Sequence, residues 1–274
     1  MNRKTIESIT SAELKEYIDT HNEKEYAIID VRQPDEYYES HIPGARLIPF
    51  TVLGRKAPDL PENTDLIFTC QTGARSKAAA ALATDLLKKP GRIINHSGGI
   101  LSWEGNVVQD FPRVQVLGPK NDFEEMLLAA MDLEKGAWNF YKSILEKFPN
   151  EPFSDAIEYL SLAESDHAEA LYRILVQRKE DLPEFDTLFL SMKGDILEGG
   201  VELKEALARL DNIKTAQPVA ILEMALDIEY SAFDLYRNGA DMVDDPDIKK
   251  ILYGIANGEK SHMKKLSEAF EYLE

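Results

Sequence analysis

Asp65-Leu66-Ile67-Phe68-Thr69-Cys70-Gln71-Thr72-Gly73-Ala74-Arg75-Ser76 carries a short apolar run into the only cysteine of the chain, then into a glycine-containing turn. The alanine-rich segment 77–87 that follows has helical character, so the stretch reads as strand, tight loop and helix. That geometry aims several backbone N–H groups inward, with the positive end of the helix dipole behind them. A thiol at the mouth of such a loop, with Arg75 beside it, is expected to ionise more readily than free cysteine. A lone cysteine at a strand end can also be a plain core residue. Gly73, Arg75 and Ser76 at this spacing favour function.

Working outward, 26–32, 66–69 and 92–95 read as strands separated by helical segments. Thr10 to Glu13 has the pattern of a capping box that opens a helix. Alternating strands and helices imply an α/β layer with a mainly parallel sheet, whose ligand crevice lies at the carboxyl ends of the strands. Cys70 lies at such an end.

Cys-x-x-Gly-x-Arg-Ser after a strand resembles the active-site loop of the rhodanese (sulfurtransferase) family. Asp30-Val31-Arg32, Glu36-Tyr37 and His41-Ile42-Pro43-Gly44-Ala45 resemble its first signature, and Gly98-Gly99 with Trp103 its closing one. The similarity spans about residues 5–110. It implies that Cys70 carries a persulfide, cradled by the N–H groups of Gln71, Thr72, Gly73, Ala74 and Arg75, with Ser76 in the same loop. Arg75 is expected to help catalysis by attracting an anionic donor. Asp30, Arg32 and His41 are expected to be structural. The related cell-cycle phosphatases place one more residue between Cys and Arg; four separate Cys70 from Arg75, which favours sulfur over phosphate. A phosphatase or arsenate reductase is the rival enzyme reading.

The chain has 274 residues, enough for two domains, and its charge divides unevenly. Fourteen basic face sixteen acidic residues up to Leu117, against seventeen and thirty-three beyond it, within a net charge of −18. The expected domains are 1–117 and 118–274. Such acidity argues against nucleic acid and anionic membranes as partners. No run approaches the roughly 20 apolar residues of a membrane span. No secretory leader is apparent, and a reactive thiol suits a reducing compartment, so a cytoplasmic location is expected. One cysteine cannot build an internal disulfide or a rubredoxin-type centre.

Beyond the Pro- and Gly-containing joint at 111–119, four long segments repeat with helical period: 121–148, 153–179, 218–242 and 246–272. Two short links and one long one, with a small helix at 201–210, give the topology of a ferritin-like four-helix bundle. The inner stripes are apolar except at mid-height. There, one helix of each hairpin offers a glutamate, Glu134 or Glu229. The other offers Glu-x-x-His, as Glu164 with His167 and Glu259 with His262. Four buried carboxylates and two imidazoles need compensating cations, and the set suits two iron ions, or manganese.

This half resembles the rubrerythrin branch of the ferritin-like superfamily, whose metal ligands those six residues match. Tyr141 and Tyr236 share the seams and are expected to pack or bond near the site. Relatives carry a further carboxylate on the third helix, for which Glu223 is a poor substitute; Glu169 and Glu268 read as surface residues. The resemblance implies redox chemistry with peroxide or oxygen, an external electron-donor protein, and a homo-oligomer, most simply a dimer. A small sulfane-sulfur donor and a thiol acceptor are the partners expected for the first half. The non-enzymatic alternative is an iron-storing or iron-sensing bundle with a rhodanese docking module.

Overall fold

A computed structural model describes residues 6–88, 90–118, 122–215, 217–271 and 273. It separates into two units, Met1–Phe111 and Pro112–Glu274. The break lies six residues before the expected one at 117. Leu117 is buried in the apolar core of the second unit, Val114 and Val116 pack against that core, and Arg113 donates to the Gly200 carbonyl at 2.6 Å. The charge count that suggested 117 could not register these contacts.

In the first unit the strands are β1 (Ile6–Ile9), β2 (Tyr26–Asp30), β3 (Arg46–Leu47), β4 (Asp65–Thr69) and β5 (Ile93–His96). They form one parallel sheet in the order β1-β5-β4-β2-β3. The helices are α1 (Ser11–Thr20), α2 (Pro34–Glu39), α3 (Phe50–Lys56) and α4 (Ala74–Leu86). Thr10 closes the expected capping box on α1. Side chains alternate across the pleat. Ala27, Ile29, Leu66 and Phe68 pack with the α4 alanines Ala79, Ala80 and Ala83, while Tyr26, Ile28, Ile67 and Ile94 pack with Leu14 of α1. Both faces are therefore covered, as a parallel sheet requires. β1 and β3 were not expected, being four and two residues long.

The second unit has α5 (Phe123–Lys147), α6 (Ser154–Leu175), α7 (Phe185–Ser191), α8 (Leu203–Asn212), α9 (Pro218–Met242) and α10 (Pro246–Glu271). The expected helix ends Asn121 and Tyr272, and Pro119 of the joint, lie outside the described residues. The hairpins α5–α6 and α9–α10 are joined by a crossover that holds α7 and α8. Two apolar clusters fill the bundle. One includes Leu127, Met131, Leu171 and Leu252; the other includes Ile144, Ile157, Leu160 and Leu266. The glutamates and histidines at mid-height lie between these two stretches of each helix. No helix among the described residues is long and apolar enough to cross a membrane.

Candidate active site and metal centre

β4 runs down the middle of the sheet and delivers Cys70 at its carboxyl end, and Gly73, at φ 89°, turns the chain into α4. The Cys70 side chain is buried. Its Sγ accepts from the Gly73 N–H at 3.1 Å and the Ser76 N–H at 3.3 Å, and the Ser76 hydroxyl lies 3.4 Å away. That hydroxyl donates to Asn95 Oδ1 at 2.7 Å, which fixes its orientation from β5. Burial pushes the thiol up; the Ser76 hydroxyl and the amides of Ser76, Thr72 and Gly73 outweigh it and hold the thiol below its ordinary value.

The Ser76 amide faces the sulfur with those of Gly73 and Thr72, while Gln71, Ala74 and Arg75 give it no hydrogen bond. Arg75, expected to attract an anionic donor, is engaged in an ion pair. Its guanidinium forms a fork with Glu36, Nη1 to Oε2 at 2.7 Å and Nη2 to Oε1 at 2.5 Å, so its charge is committed to α2. The Arg75 fork also holds the Glu36 carboxyl down at about 2. The pair is part-exposed and adds little stability by itself. It ties the loop helix to α2.

Asp30, Arg32 and His41 are structural, as expected. Arg32 forks onto Asp30 at 2.7–3.0 Å, donates to the Ser40 carbonyl at 2.7 Å, and reaches Gln71 Oε1 at 3.4 Å. His41 is buried with its ring stacked on Tyr37. The closing motif grips the loop from above: Ile100 N–H donates to the Cys70 carbonyl at 2.8 Å and Leu101 N–H to that of Gln71 at 3.2 Å. Gly99 has φ +60°, and a Cβ there would sit 2.1 Å from the Cys70 carbonyl oxygen. Only glycine permits that approach. His96 is fully buried between the Ser11 and Thr69 hydroxyls, each at 2.9 Å, and burial lowers it to about 4.

In the helical unit the six expected residues converge. Glu134 comes from α5, Glu164 and His167 from α6, Glu229 from α9, and Glu259 and His262 from α10. All four glutamates are fully buried. His262 Nδ1 lies 2.8 Å from Glu229, 2.9 Å from Glu259 and 3.7 Å from Glu164. His167 Nδ1 lies 3.2 Å from Glu259 and 3.5 Å from both Glu134 and Glu164. Glu164 and Glu259 therefore stand between two imidazoles whose rings stack 5.0 Å apart. The tyrosines exchange partners across the bundle: Tyr141 on α5 donates to Glu229 on α9, and Tyr236 on α9 donates to Glu134 on α5.

Several buried atoms in this layer lack a hydrogen-bond partner: Oε2 of Glu134, both oxygens of Glu164 and Glu259, and Nδ1 of His167. Their ligand atoms fall into triads within 4.8 Å, such as Glu134-Glu164-His167 and Glu164-Glu229-His262. Buried acceptors with no donor call for cations, and carboxylate with imidazole suits iron or manganese. The residues fit a dinuclear centre. Where no cation is bound, protons would meet part of the demand: burial pushes Glu164 well up and Glu229 to about 7. Burial opposes charging the two histidines, yet Glu259 and its neighbours push both well up.

Glu223 and Glu268 are exposed and Glu169 pairs with Arg173 at the surface, so none joins the cluster. One residue there was not expected. Glu198, on the crossover, is fully buried and groups with Glu164 and Glu259. The apolar pair Ile196-Leu197 before it and Gly199-Gly200 after it are the sequence signals of a turn that enters the core.

A rhodanese-like domain model matches residues 10–106, and a rubrerythrin model matches residues 125–209. YrkF of Bacillus subtilis is 33% identical over 106 residues, which cover 38% of this chain and 54% of YrkF, so the match spans about half that relative's length. A sulfurtransferase of Allochromatium vinosum is 32% identical over 76 residues, 28% of this chain and 69% of that protein. A solved rhodanese-related protein from Thermoplasma volcanium is 32% identical, covering 38% of this chain and 99% of that one, with a TM-score of 0.33. Over its first unit the chain belongs to the rhodanese-like family, and it carries a rubrerythrin domain in its second.

Proposed function

We propose that this protein is a sulfurtransferase that carries sulfane sulfur as a Cys70 persulfide, joined to a bundle that holds two iron ions. The observation that carries the reading is the buried Sγ held by the Gly73 and Ser76 amides, in a loop whose thiol is biased toward the thiolate. Fixed amides stabilise a localised anion with no reorganisation at the moment of reaction.

The thiolate attacks the outer sulfur of a donor such as thiosulfate. A bond forms from Cys70 Sγ to that sulfur, the donor's S–S bond breaks with its electron pair, and sulfite leaves. A thiophilic acceptor, a thiolate or cyanide, then takes the outer sulfur and returns the Cys70 thiolate. The loop amides serve both anionic states, and the Ser76 hydroxyl joins them when its proton turns from Asn95 to the sulfur. Arg75 acts by tying the loop to Glu36. A reducing, cytoplasmic setting suits a thiol with this bias.

Bound ferrous iron would supply the electrons to reduce peroxide or oxygen. The chain's own part is to hold the ions with Glu134, Glu164, His167, Glu229, Glu259 and His262. Tyr236 and Tyr141 fix the outer carboxylates Glu134 and Glu229, and apolar clusters flank the layer on either side. An electron-donor protein completes that reaction.

The test is mass spectrometry of the protein after incubation with thiosulfate, alongside a thiosulfate:cyanide assay. The expected result is a gain of about 32 Da on Cys70, one sulfur atom. Cys70→Ser should show neither the adduct nor transfer. Full transfer by Cys70→Ser would reject the assignment.

A further inference from the structure

The crossover between the hairpins does more than connect them. Ile196 bridges to Glu202, Leu197 N–H donates to the Val201 carbonyl at 2.8 Å, and Gly200 N–H donates to that of Leu197 at 2.9 Å. The result is a narrow turn with Glu198 at its tip. Two contacts press that turn into the bundle. On α5, a Cβ at Gly136 would stand 2.1 Å from the Ile196 carbonyl oxygen, so the two backbones touch there. Gly199, at φ +75°, is packed so closely on Ser231 of α9 that a Cβ would stand 2.4 Å from the serine Cβ.

The side chain delivered this way is fully buried, and neither of its carboxylate oxygens has a hydrogen-bond partner. A carboxylate oxygen of Glu198 and ligand atoms of Glu164 and Glu259 lie within 4.8 Å of one another. The carboxylates that face it are those of Glu134, Glu164 and Glu259. Among the described residues, no Lys or Arg pairs with it. A turn anchored this firmly would not place an unpartnered acid in the interior unless something there received it.

We infer that Glu198 is a seventh ligand of the metal pair, supplied by the crossover rather than by any of the four long helices. It restores a carboxylate that α9 does not offer, since Glu223 points to solvent. It also makes the two ion positions unequal. The position flanked by Glu134 and His167 gains an acid, and the one flanked by Glu229 and His262 does not. This inference rests on the dinuclear reading above.

The test is titration of the metal-free 274-residue chain with Co(II), following ligand-field absorbance and heat. Wild type should take up two ions in two steps of unequal affinity. Glu198→Gln should weaken one step by at least about tenfold, the scale on which metal sites respond to loss of supporting groups, and alter the spectrum of that ion alone. Glu205→Gln, which removes an exposed charge on α8, should match wild type. Should Glu198→Gln fail to fold, Glu198→Asp keeps the charge but withdraws it by one methylene, and the same step should weaken. Two wild-type steps in Glu198→Gln, or in Glu198→Asp where only that variant folds, would overturn the role of Glu198 and leave the dinuclear reading standing. Failure of wild type to bind Co(II) would overturn both.

Discussion

At Cys70 the groups that face the sulfur are backbone amides and one hydroxyl, all fixed by the loop and by β5. At mid-height in the bundle, the groups that face each carboxylate are other carboxylates, two imidazoles and two phenols. The first unit buries its anion with donors already in its own fold. The second gathers more acceptors than donors, so its interior is complete only when cations arrive. One unit is built to accept and release a small group, and the other to retain ions. Their sensitivities should diverge accordingly.

Metal removal should separate the two units most clearly. Ions held at a thousand times their dissociation constant stabilise the state that binds them by about 4 kcal/mol. Calorimetry with and without a chelator should therefore show the helical transition moving down while that of the α/β unit stays in place. Equal shifts in both transitions, or in neither, would erase the contrast.

Acidification should act on the other unit. His96 titrates at about 4 when folded, because burial disfavours its charged form, against the ordinary 6.5. Between those values the unfolded chain binds the proton and the folded one does not, so stability rises with pH through the window. The contribution is fully present above 6.5 and lost as pH falls to 4, on the order of 3 kcal/mol. Urea midpoints of the α/β transition at several pH values should fall steeply below 6.5 in wild type and less steeply in His96→Gln. Parallel slopes would mean that His96 is not the group responsible.

The smallest effect expected is at Ser76. Ser76→Ala removes the hydroxyl and keeps the amide, so the midpoint of the pH profile for Cys70 alkylation should rise by about one unit, roughly 1.4 kcal/mol. An unchanged midpoint would assign all of the thiol's bias to the amides.

What the sequence disclosed follows the range of the forces involved. Cys70 and its loop were legible because strand, turn and helix start are local, and the six buried acids and histidines of the bundle because helical period places them in phase. Glu36 and Arg75 are 39 residues apart, and their fork answers to no spacing rule. Asn95 reaches Ser76 only because β5 lies beside β4. Glu198 sits on a turn without periodicity, so the stripes that revealed the other residues of the cluster passed over it. β1 is Ile-Glu-Ser-Ile, with two polar residues between two apolar ones, and gains its strand form by pairing with β5, a partner far along the chain.

The exchange of phenols between hairpins has a consequence for how the bundle can be divided. The clamp for Glu134 belongs to the second hairpin and the clamp for Glu229 to the first, so neither hairpin owns a finished half of the centre. Cutting the chain between them would give two fragments, each with a buried glutamate whose orienting hydroxyl had departed with its counterpart. The centre is a property of the pair.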